Sequence, residues 1–486
     1  MIPTTLADIA AATGGRLASG ADPAAVVTAD PVVDSRLAGP GSLFVAVRGE
    51  HVDGHDFAGA AVQSGAVAVL AEREVDVPCL VVDSSVAALG RLAHHVLGRL
   101  PELAVVGVTG SSGKTSTKDL MAAVLSAVGS SGDSTQESTI AAEGSFNNEL
   151  GVPLTTLRST ERTRFLVLEM GARGIGHIAT LCAIAPPRVG VVLNVGAAHA
   201  GEFGGLDAVE QAKGELVEAV PDADSGGVAV LNADDARVAR MGSRTHGRVV
   251  LVGTSGAADV RATGIEVDGS GRARFTLTSS LAGAEGSADV SLQLVGEHHV
   301  ANALSAAAVG LVLGGDVATV AGALSQARAA SRWRMEVTER PDGITVVNDA
   351  YNANPDSVRA ALKALAAMGR PSAEHPEGRR TWAVLGEMLE LGDETLARHD
   401  EIGRLAVRLN ISRLVAVGEG ARPVHTGAYQ EGSWGDESAW VADTDEAFAL
   451  LEEELAPGDV VLVKSSNAIG LRFLGERLAA AGVNAG

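Results

Sequence analysis

The sequence predicts an α/β protein of three domains: a small N-terminal α/β domain at 1–102, a central parallel-sheet domain at 103–330 and a C-terminal Rossmann-like α/β domain at 331–486. Three observations lead to this prediction. A chain of 486 residues exceeds what one hydrophobic core normally organises. Short apolar runs alternate with helical stretches, as in parallel sheets covered on both faces. Many runs end on a small polar or acidic residue, where such sheets bind ligands.

The composition excludes some classes of function. The net charge is −22 at pH 7, so the surface would repel a nucleic acid duplex, and we expect no nucleic acid partner. Aromatic residues make up only 3% of the chain, which also disfavours a base-stacking platform. A nucleotide is not excluded, because it needs only a local electropositive pocket.

Cysteine usage and the N-terminus predict a soluble, cytoplasmic protein. Cys79 and Cys182 are far apart and lack Cys or His neighbours at metal-ligand spacing, so we expect two buried thiols in a reducing compartment. The N-terminus lacks the basic region and apolar core of a signal peptide. No apolar run reaches the length of a membrane span, so we expect no membrane insertion.

The first domain begins with a capped helix at 5–10 and continues with short apolar runs that predict strands at 42–47, 66–70 and 79–82. A helix follows at 86–100 and ends before Pro101. Asp34, Ser35 and Arg36 form a polar cluster between these elements. Hydrogen bonding to a ligand, an ion pair and a turn explain this cluster equally well.

The central domain opens with the stretch LAVVGVTGSSGKTST at 103–117. Its apolar run predicts a strand, Gly110 and Gly113 a loop, and the residues from Lys114 a helix. Such a loop directs backbone N–H groups and the positive end of a helix toward one point. Lys114 adds a charge, and the Thr115 hydroxyl can reach a phosphate-bound Mg²⁺. Only two residues separate the glycines, fewer than in the standard Walker pattern, and a plain Gly/Ser turn is the alternative. The combination favours phosphate binding.

Further central strands run into Glu169, Asn194, Asn232 and Gly253, which places polar groups at the ligand-binding edge of a parallel sheet. The segment 259–295 alternates apolar and polar residues like antiparallel strands. An Ala-rich helix is expected at 299–314.

The third domain repeats the α/β pattern. Strands are predicted to end at Asn348-Asp349, Gly386-Glu387, Gly418-Glu419 and Lys464-Ser465. Helices are predicted at 357–368 and 401–409, and loops at 372–378 and 432–440. No G-x-G-x-x-G follows a strand, so the dinucleotide fingerprint is absent.

Several polar residues are candidates for chemistry, and a plain structural role is open for each. Glu169 follows a strand and could hold Mg²⁺ or cap a neighbouring helix. His199 follows another strand end, but it could be an ordinary surface histidine. Lys213 lies among carboxylates on a predicted helix, where a solvated i,i+4 ion pair is the simplest explanation. Asn147 and Asn148 suit ligand contacts or turn formation.

The chain resembles the Mur ligase family of ATP-dependent amide-forming enzymes. The resemblance rests on the motifs VTGSSGKTSTK, GSFNNELGVPLT, LEMGARGIGHI, NVGAAHAGEFGG, QAKGEL, GEHHVANALSAAA, RWRMEV, NDAYNANPDSV and LGEMLELG, in the order that the family has them. The stretch DSRLAGPGSLFVAVRGEHVDGHDF extends it into the first domain. Nearly the whole chain is covered.

The resemblance implies a role for each matching residue. The central domain would be a P-loop ATPase domain, whose ATP contacts are Gly110, Ser111, Ser112, Gly113, Lys114, Thr115, Ser116, Asn302, Arg334 and Asp349. Thr115, Glu169 and His199 would hold Mg²⁺, and Lys213 would be carbamylated so that it ligates a second ion. Asp34, Ser35, Arg36, Asn147 and Asn148 would bind the UDP-linked substrate. Tyr351, Asn352 and Asn354 would lie near the incoming amine substrate.

Within the family, NDAYNANPDS and LGEMLELG resemble the branch that attaches D-alanyl-D-alanine to UDP-N-acetylmuramoyl-tripeptide in peptidoglycan precursor synthesis. Neither the YAHxPD-type segment nor the DNPR-like motif of the sister ligases, which add the third amino acid, is present. A folylpolyglutamate-synthetase-like ligase and a nucleotide-binding switch without catalysis are less favoured interpretations of the same phosphate loop. We expect a monomer that uses ATP and Mg²⁺ and acts on small molecules.

Overall fold

The computed structural model describes residues 1–49, 51–130, 138–196, 205–432 and 435–481. It contains three α/β units, as the sequence predicts. The predicted boundaries at 102 and 330 stay predictions.

The N-terminal unit is a four-stranded sheet with helices packed on it. Its elements are β1 Thr4–Thr5, α1 Leu6–Thr13, β2 Arg16–Ala18, β3 Val26–Val27, β4 Leu43–Val45, α2 Ala58–Gln63, β5 Ala68–Ala71, β6 Cys79–Val81 and α3 Ser85–Gly98. The sheet order is β2-β6-β5-β4, and β1 pairs separately with β3. Thr5 caps α1 by accepting a hydrogen bond from the Asp8 N–H, as its position predicts. Both cysteines are buried free thiols, as expected.

The central unit is a nine-stranded sheet in the order β15-β14-β13-β12-β11-β10-β7-β9-β8. Its elements are β7 Ala104–Thr109, α4 Lys114–Gly129, β8 Thr139–Ala141, α5 Gly151–Leu157, β9 Phe165–Glu169, α6 His177–Ile184, β10 Val189–Val192, α7 Leu206–Glu218, β11 Val228–Asn232, α8 Ala236–Ala239, β12 Arg248–Gly253, β13 Val260–Val267, β14 Arg272–Ser279, β15 Gly286–Val295, α9 His299–Val312 and α10 Val317–Gln326.

The position of β7 decides where this unit can bind a ligand. β7 is buried along its whole length and pairs in parallel with β9 on one side and β10 on the other. The carboxyl ends of these three strands therefore meet at one edge, with the N-terminus of α4 above it. The predicted antiparallel strands at 259–295 are confirmed as β13, β14 and β15.

The third unit is a six-stranded sheet in the order β16-β17-β21-β18-β19-β20. Its elements are β16 Glu336–Glu339, β17 Thr345–Asn348, α11 Pro355–Met368, β18 Thr381–Leu385, α12 Thr395–Arg408, β19 Arg413–Val417, α13 Arg422–Glu431, β20 Ser438–Val441, α14 Thr444–Glu454, β21 Val460–Lys464 and α15 Leu471–Ala481. β16 pairs antiparallel with β17, and the other neighbours are parallel.

One sequence prediction for the third unit is wrong, and one element is longer than predicted. The loop predicted at 432–440 contains the start of β20, which pairs only with β19 and lies at the sheet edge with two of its four residues half-buried. The strand has only four residues, and its apolar run is too short to be distinguished from a loop by pattern alone. The helix predicted at 401–409 is confirmed, but it begins earlier, at Thr395, and ends at Arg408. Its start was missed because Leu396, in its first turn, is exposed and extends no buried apolar face.

Across the described residues, every helix is too short or too polar to cross a lipid bilayer.

Candidate functional site

The loop between β7 and α4 has the geometry of an anion-binding turn. Gly113 has a φ of 82° at the start of α4, a backbone conformation that favours glycine. A Cβ there would also lie 2.7 Å from the Asn302 Oδ1. Asn194, at the end of β10, fixes the loop by accepting a 2.9 Å hydrogen bond from the Ser112 N–H. The loop and the first residues of α4 line a cavity, so an anion can approach the helix N-terminus.

Lys114, Thr115 and Glu169 meet beside this loop. The Lys114 Nζ donates to the Gly110 carbonyl at 2.7 Å, and burial lowers the pKa of Lys114, against the attraction of Glu169. The Thr115 Oγ1 donates to the Glu169 carboxylate at 2.9 Å. Asn147 donates to its other oxygen at 2.8 Å. Glu169 is only 1% exposed, and these two contacts are to side chains, whereas a helix cap would accept from backbone N–H groups.

Lys213 lies in the interior, so its interpretation as a solvated charge partner is wrong. It is 5% exposed, and no hydrogen-bond or acidic partner for its amine exists among the residues that the structure describes. Burial, with a smaller contribution from Lys114, holds the pKa of Lys213 well below its usual range. The carboxylates near it in sequence are engaged elsewhere: Glu210 pairs with arginines, and Glu215 accepts backbone N–H bonds from the start of α6.

The third unit reaches this site through Arg334. Its Nη2 donates to the Thr115 Oγ1 at 3.2 Å and to the Ser145 Oγ at 3.4 Å. Its guanidinium carbon also lies 4.2 Å from the centre of the Tyr351 ring. Arg334 therefore connects the edges of the two sheets.

Asp349 is held by the third unit itself. One oxygen accepts the Met335 N–H at 3.1 Å, and the other accepts the Lys464 Nζ at 2.6 Å. Lys464 is buried, and this burial lowers its pKa in spite of the attraction of Asp349. The pair forms a compensated charge at the carboxyl ends of β17 and β21.

Two adjoining cavities bring most of the predicted residues together. The first, which we call the loop cavity, is lined by Ser111, Ser112, Gly113, Lys114, Thr115, Ser116, Glu169, Asn302, Arg334, Asp349, Asn352 and Asn354. The second, the interdomain cavity, has a volume of about 510 Å³. Among the predicted residues, it is lined by Lys114, Asn147, Asn148, Glu169, Lys213, Arg334, Tyr351 and Asn352.

Other predicted residues lie apart or have local roles. Asp34 and Arg36 form an exposed ion pair in the first unit, with an O···N distance of 2.6 Å, and neither they nor Ser35 line the two cavities. The Arg36 guanidinium lowers the pKa of Asp34 to about 2. Asn148 accepts from the Gly151 N–H, which matches its interpretation as a turn residue. His199 lies outside the described residues.

Sequence reasoning missed several residues of the site. His298, His299 and Lys464 also line the loop cavity. The Nδ1 of His299 lies 3.2 Å from the Asn302 amide, its Nε2 is buried without a partner among the described residues, and burial lowers the pKa of its ring strongly. Lys118, the next lysine along α4, lines neither cavity; it is buried and donates to the Ala142 carbonyl at 2.7 Å. Two signals were usable: Lys464 stands at the carboxyl end of a predicted strand, and His298 and His299 lie within the motif GEHHVANALSAAA.

The arrangement combines an anion-binding loop and two lysines with buried oxygen ligands. Backbone N–H groups and Lys114 can stabilise the charge of a phosphate. The Thr115 hydroxyl and the Glu169 carboxylate are oxygen donors of the kind that Mg²⁺ prefers. A phosphate and a second substrate can therefore meet where the loop cavity opens into the interdomain cavity.

Known proteins share this sequence and fold. The Mur ligase family, catalytic domain matches residues 32–96, the Mur ligase middle domain matches 108–310, and the Mur ligase, glutamate ligase domain matches 333–467. A UDP-N-acetylmuramoyl-tripeptide–D-alanyl-D-alanine ligase of Mycobacterium tuberculosis is 49% identical, over 99% of this chain and 98% of the relative. The enzyme of the same name from Escherichia coli is 35% identical over 97% of both chains.

Solved structures give the same result. MurF from Acinetobacter baumannii superposes with a TM-score of 0.84 at 30% identity, covering 98% of this chain and 99% of that one. MurF from Thermotoga maritima, solved in complex with ADP, has a TM-score of 0.77 at 28% identity, with 93% and 97% covered. With the three matching domains and a 49% identical relative over its full length, this chain belongs to the Mur ligase family.

Proposed function

We propose that this protein joins D-alanyl-D-alanine to UDP-N-acetylmuramoyl-tripeptide in an ATP-dependent, ADP-forming reaction of peptidoglycan precursor synthesis. The observation that carries the reaction type is the convergence of the phosphate loop, Glu169, Lys213 and Arg334 on two adjoining cavities. The relatives that match almost the full chain support the choice of substrates.

The domain assignment follows the substrates. We assign the UDP-linked substrate to residues 1–102, ATP to 103–330 and the incoming dipeptide to 331–486. Asp34, Ser35 and Arg36 are proposed to hold the UDP end, with Asn147 and Asn148 facing the sugar-peptide portion. Tyr351 and Asn352 line the interdomain cavity and are proposed as dipeptide contacts. Asn354 lines the loop cavity instead, so its side chain is nearer the nucleotide.

ATP is proposed to bind in the loop cavity. The N–H groups of 110–116 and Lys114 would surround the phosphates, and Lys114 would exchange its Gly110 contact for a phosphate oxygen. Asn302 and Arg334 also line this cavity, so both can contact the nucleotide. Asp349 is engaged with Lys464, and it would act by holding the cavity wall in place.

The residues present fit Mg²⁺. The Thr115 hydroxyl and the Glu169 carboxylate form a buried oxygen pair beside the phosphate loop. In the described ranges no group of three or more His, Cys, Asp or Glu side chains forms a metal cluster. This agrees with Mg²⁺ chemistry, in which one or two protein oxygens and the substrate phosphates share the ion. When bound, Mg²⁺ would neutralise phosphate charge during phosphoryl transfer.

Lys213 is proposed to be carbamylated. Its amine is buried, faces the interdomain cavity and has no acidic partner among the described residues. Reaction of the amine with CO₂ gives a carbamate and releases a proton, and this converts a buried cation into an oxygen ligand for a metal. The change would also remove the repulsion between Lys213 and Lys114.

The chemistry proceeds in two displacements. A terminal carboxylate oxygen of the tripeptide attacks the γ-phosphorus of ATP, the bond to ADP breaks, and an acyl phosphate forms. The dipeptide amine then attacks the carbonyl carbon, the bond to phosphate breaks, and an amide, phosphate and a proton are released. The protein contributes positioning and charge stabilisation through Lys114 and the loop amides. ATP and UDP-linked sugars are metabolites of the cytoplasm, where we place the reaction, with the protein acting as a monomer.

Phosphate release tests the proposal. ATP is supplied with UDP-N-acetylmuramoyl-tripeptide, with and without D-alanyl-D-alanine, and the product is identified by mass. Release that requires both substrates is expected, and parallel assays with diaminopimelate and lysine tripeptides identify the acceptor. Release that is indifferent to the dipeptide, or a preference for a single amino acid over it, contradicts the proposal.

A further inference from the structure

The loop at 386–391, between β18 and α12, forms part of the wall that the third unit contributes to the interdomain cavity. Leu389 and Glu390 both line this cavity. The backbone of the loop is fixed from two sides. The Met388 N–H donates to the buried Nε2 of His399 at 2.9 Å, and the Leu389 N–H donates to the Ser466 Oγ at 2.9 Å.

Glu390 adopts a strained backbone conformation within this fixed loop. Its φ is 65°, in the left-handed region that favours glycine and is uncommon for glutamate. Strain of this kind persists where the surroundings hold it in place, and it is concentrated at functional sites. The hydrogen bonds of the neighbouring Met388 and Leu389 supply this constraint. The loop therefore has a glutamate at a position whose backbone conformation glycine would adopt with less strain.

The charges around the cavity differ between its two walls. The central unit contributes the basic residues Lys114, Arg173 and Lys213, the carboxylates Glu149 and Glu169, and His177. The third unit contributes two charged side chains among the described lining residues, Arg334 and Glu390, and the Arg334 guanidinium is directed toward Thr115. Glu390 is therefore the carboxylate that the described part of the third-unit wall presents, and it is exposed to the cavity solvent.

A reacting amine needs such a group. A dipeptide carries an ammonium at its N-terminus, with a pKa near 8, and a charged Lys114 on the opposite wall would repel it. A carboxylate on the other wall would offset the repulsion and would hold the nitrogen on the side from which it must attack.

We propose that the Glu390 carboxylate binds the ammonium of the incoming amine substrate and positions its nitrogen near the acyl carbon, where loss of one proton to solvent gives the neutral amine that attacks. This inference deepens the proposed function and rests on it. Glu390 would select substrates with a free amino terminus and would take no part in binding ATP or the UDP-linked substrate.

The test compares Glu390→Gln and Glu390→Gly with a matched control, Glu387→Gln. Glu387 lies on the same loop, but its carboxylate faces Gly420, where a Cβ would lie 2.2 Å from the Glu387 Cδ. Both Glu390 variants should raise the KM for D-alanyl-D-alanine about 10- to 100-fold, the range expected for a lost charged hydrogen bond. The KM values for ATP and the tripeptide should stay unchanged. Glu390→Gly should retain or raise Tm, because glycine relieves the positive φ.

A second readout isolates the ammonium. D-alanyl-D-alanine and its N-acetyl derivative, which lacks the charge, are compared in binding to the enzyme loaded with a non-hydrolysable ATP analogue and tripeptide. The wild type should prefer the free amine strongly, and Glu390→Gln should lose most of this preference.

An unchanged dipeptide KM, an unchanged preference, or an equal decline of all kinetic constants together with Tm would each overturn the inference. If the wild type shows dipeptide-dependent turnover and Glu390→Gln behaves identically, the role of Glu390 is refuted and the proposed function is not. A wild type without dipeptide-dependent turnover refutes the proposed function, and the inference with it.

Discussion

The ligand-binding edges of the central and third sheets have the same architecture but opposite electrostatics. In both, parallel strands end at a shared edge beside helix N-termini. At the central edge, Lys114 is half-buried and Lys213 is buried, and no carboxylate among the described residues is hydrogen-bonded to either amine. At the third edge, Lys464 is neutralised by Asp349 at 2.6 Å. At the central edge, Glu169 attracts Lys114 without a hydrogen bond to it, whereas at the third edge the lysine and the carboxylate are directly paired.

This difference teaches how one fold type serves two purposes. Uncompensated cations destabilise the folded state until a ligand supplies negative charge, so they belong at a site that binds phosphate. A compensated buried pair stabilises a loop but offers little charge to a ligand. The two lysine types should consequently respond to substitution in opposite ways, one through activity and the other through stability.

The largest effect is expected from Lys114→Met. Loss of the charge at the phosphate loop should lower dipeptide-dependent phosphate release by a factor of about 10³ or more. Stability should be retained, because burial already disfavours the charged amine and its partner is only a carbonyl. Steady-state kinetics and urea unfolding measure the two quantities. Lys363→Met, at an exposed lysine of α11, is the control and should change neither. Near-normal turnover in Lys114→Met would show that the charge of Lys114 is not needed for phosphoryl transfer, and the functional contrast between the two edges would be wrong.

Lys464→Met should act in the reverse way. It leaves the buried Asp349 carboxylate without its cation, which typically destabilises a protein by about 3–5 kcal/mol. Urea unfolding measures the change. The double variant Lys464→Met/Asp349→Asn removes the orphaned charge and should recover a large part of the loss. If both variants were equally unstable, or if Lys464→Met were as stable as the wild type, the third edge would not be held by this pair.

The sequence predicts the fold well because strands and helices leave local signatures. The apolar run of β7, the glycines after it and the helix at Lys114 are adjacent in the chain, so their geometry follows from local rules. The alternation at 259–295 likewise indicates antiparallel strands without further information.

The charge state of the site could not be predicted in the same way. Asp349 and Lys464 are 115 residues apart, and they meet only because β17 and β21 are neighbours in the sheet. The sequence predicts that Lys213 is solvated, because acidic residues surround it in the chain. In the structure, however, Glu210 forms ion pairs with Arg237 and Arg240, which come from another segment. Such partners depend on strand order and helix rotation, which periodicity does not reveal.

The third edge should also weaken in acid. Burial lowers the pKa of His399, whose Nε2 accepts the Met388 N–H. The unfolded imidazole takes up a proton near pH 6.5 while the folded one stays neutral, so stability falls as the pH drops below that value. The slope is about 1.4 kcal/mol for each pH unit until the folded pKa is reached.

The variant His399→Gln separates this contribution from those of His298 and His299, whose pKa values burial also lowers. Urea unfolding at pH 7 and pH 5 is the measurement. The free energy of unfolding should fall more between pH 7 and pH 5 in the wild type than in His399→Gln. Equal losses would show that His399 does not hold the loop through a neutral ring.

The smallest effect is expected in the first unit, where the Asp34–Arg36 pair differs from both edges by lying at the solvent-exposed surface. Arg36→Ala breaks an ion pair that solvent screens, so Tm should not change. If this pair holds the UDP end, the KM for the UDP-linked substrate should rise by about tenfold or less, because a solvated contact contributes little. Glu74→Gln, which breaks the exposed Arg16–Glu74 pair of the same unit, is the control and should leave this KM unchanged. If neither variant changes the KM for the UDP-linked substrate, recognition of that substrate is confined to the two cavities. The hydrogen bonds between Asp34 and Arg36 would then serve only to stabilise a turn.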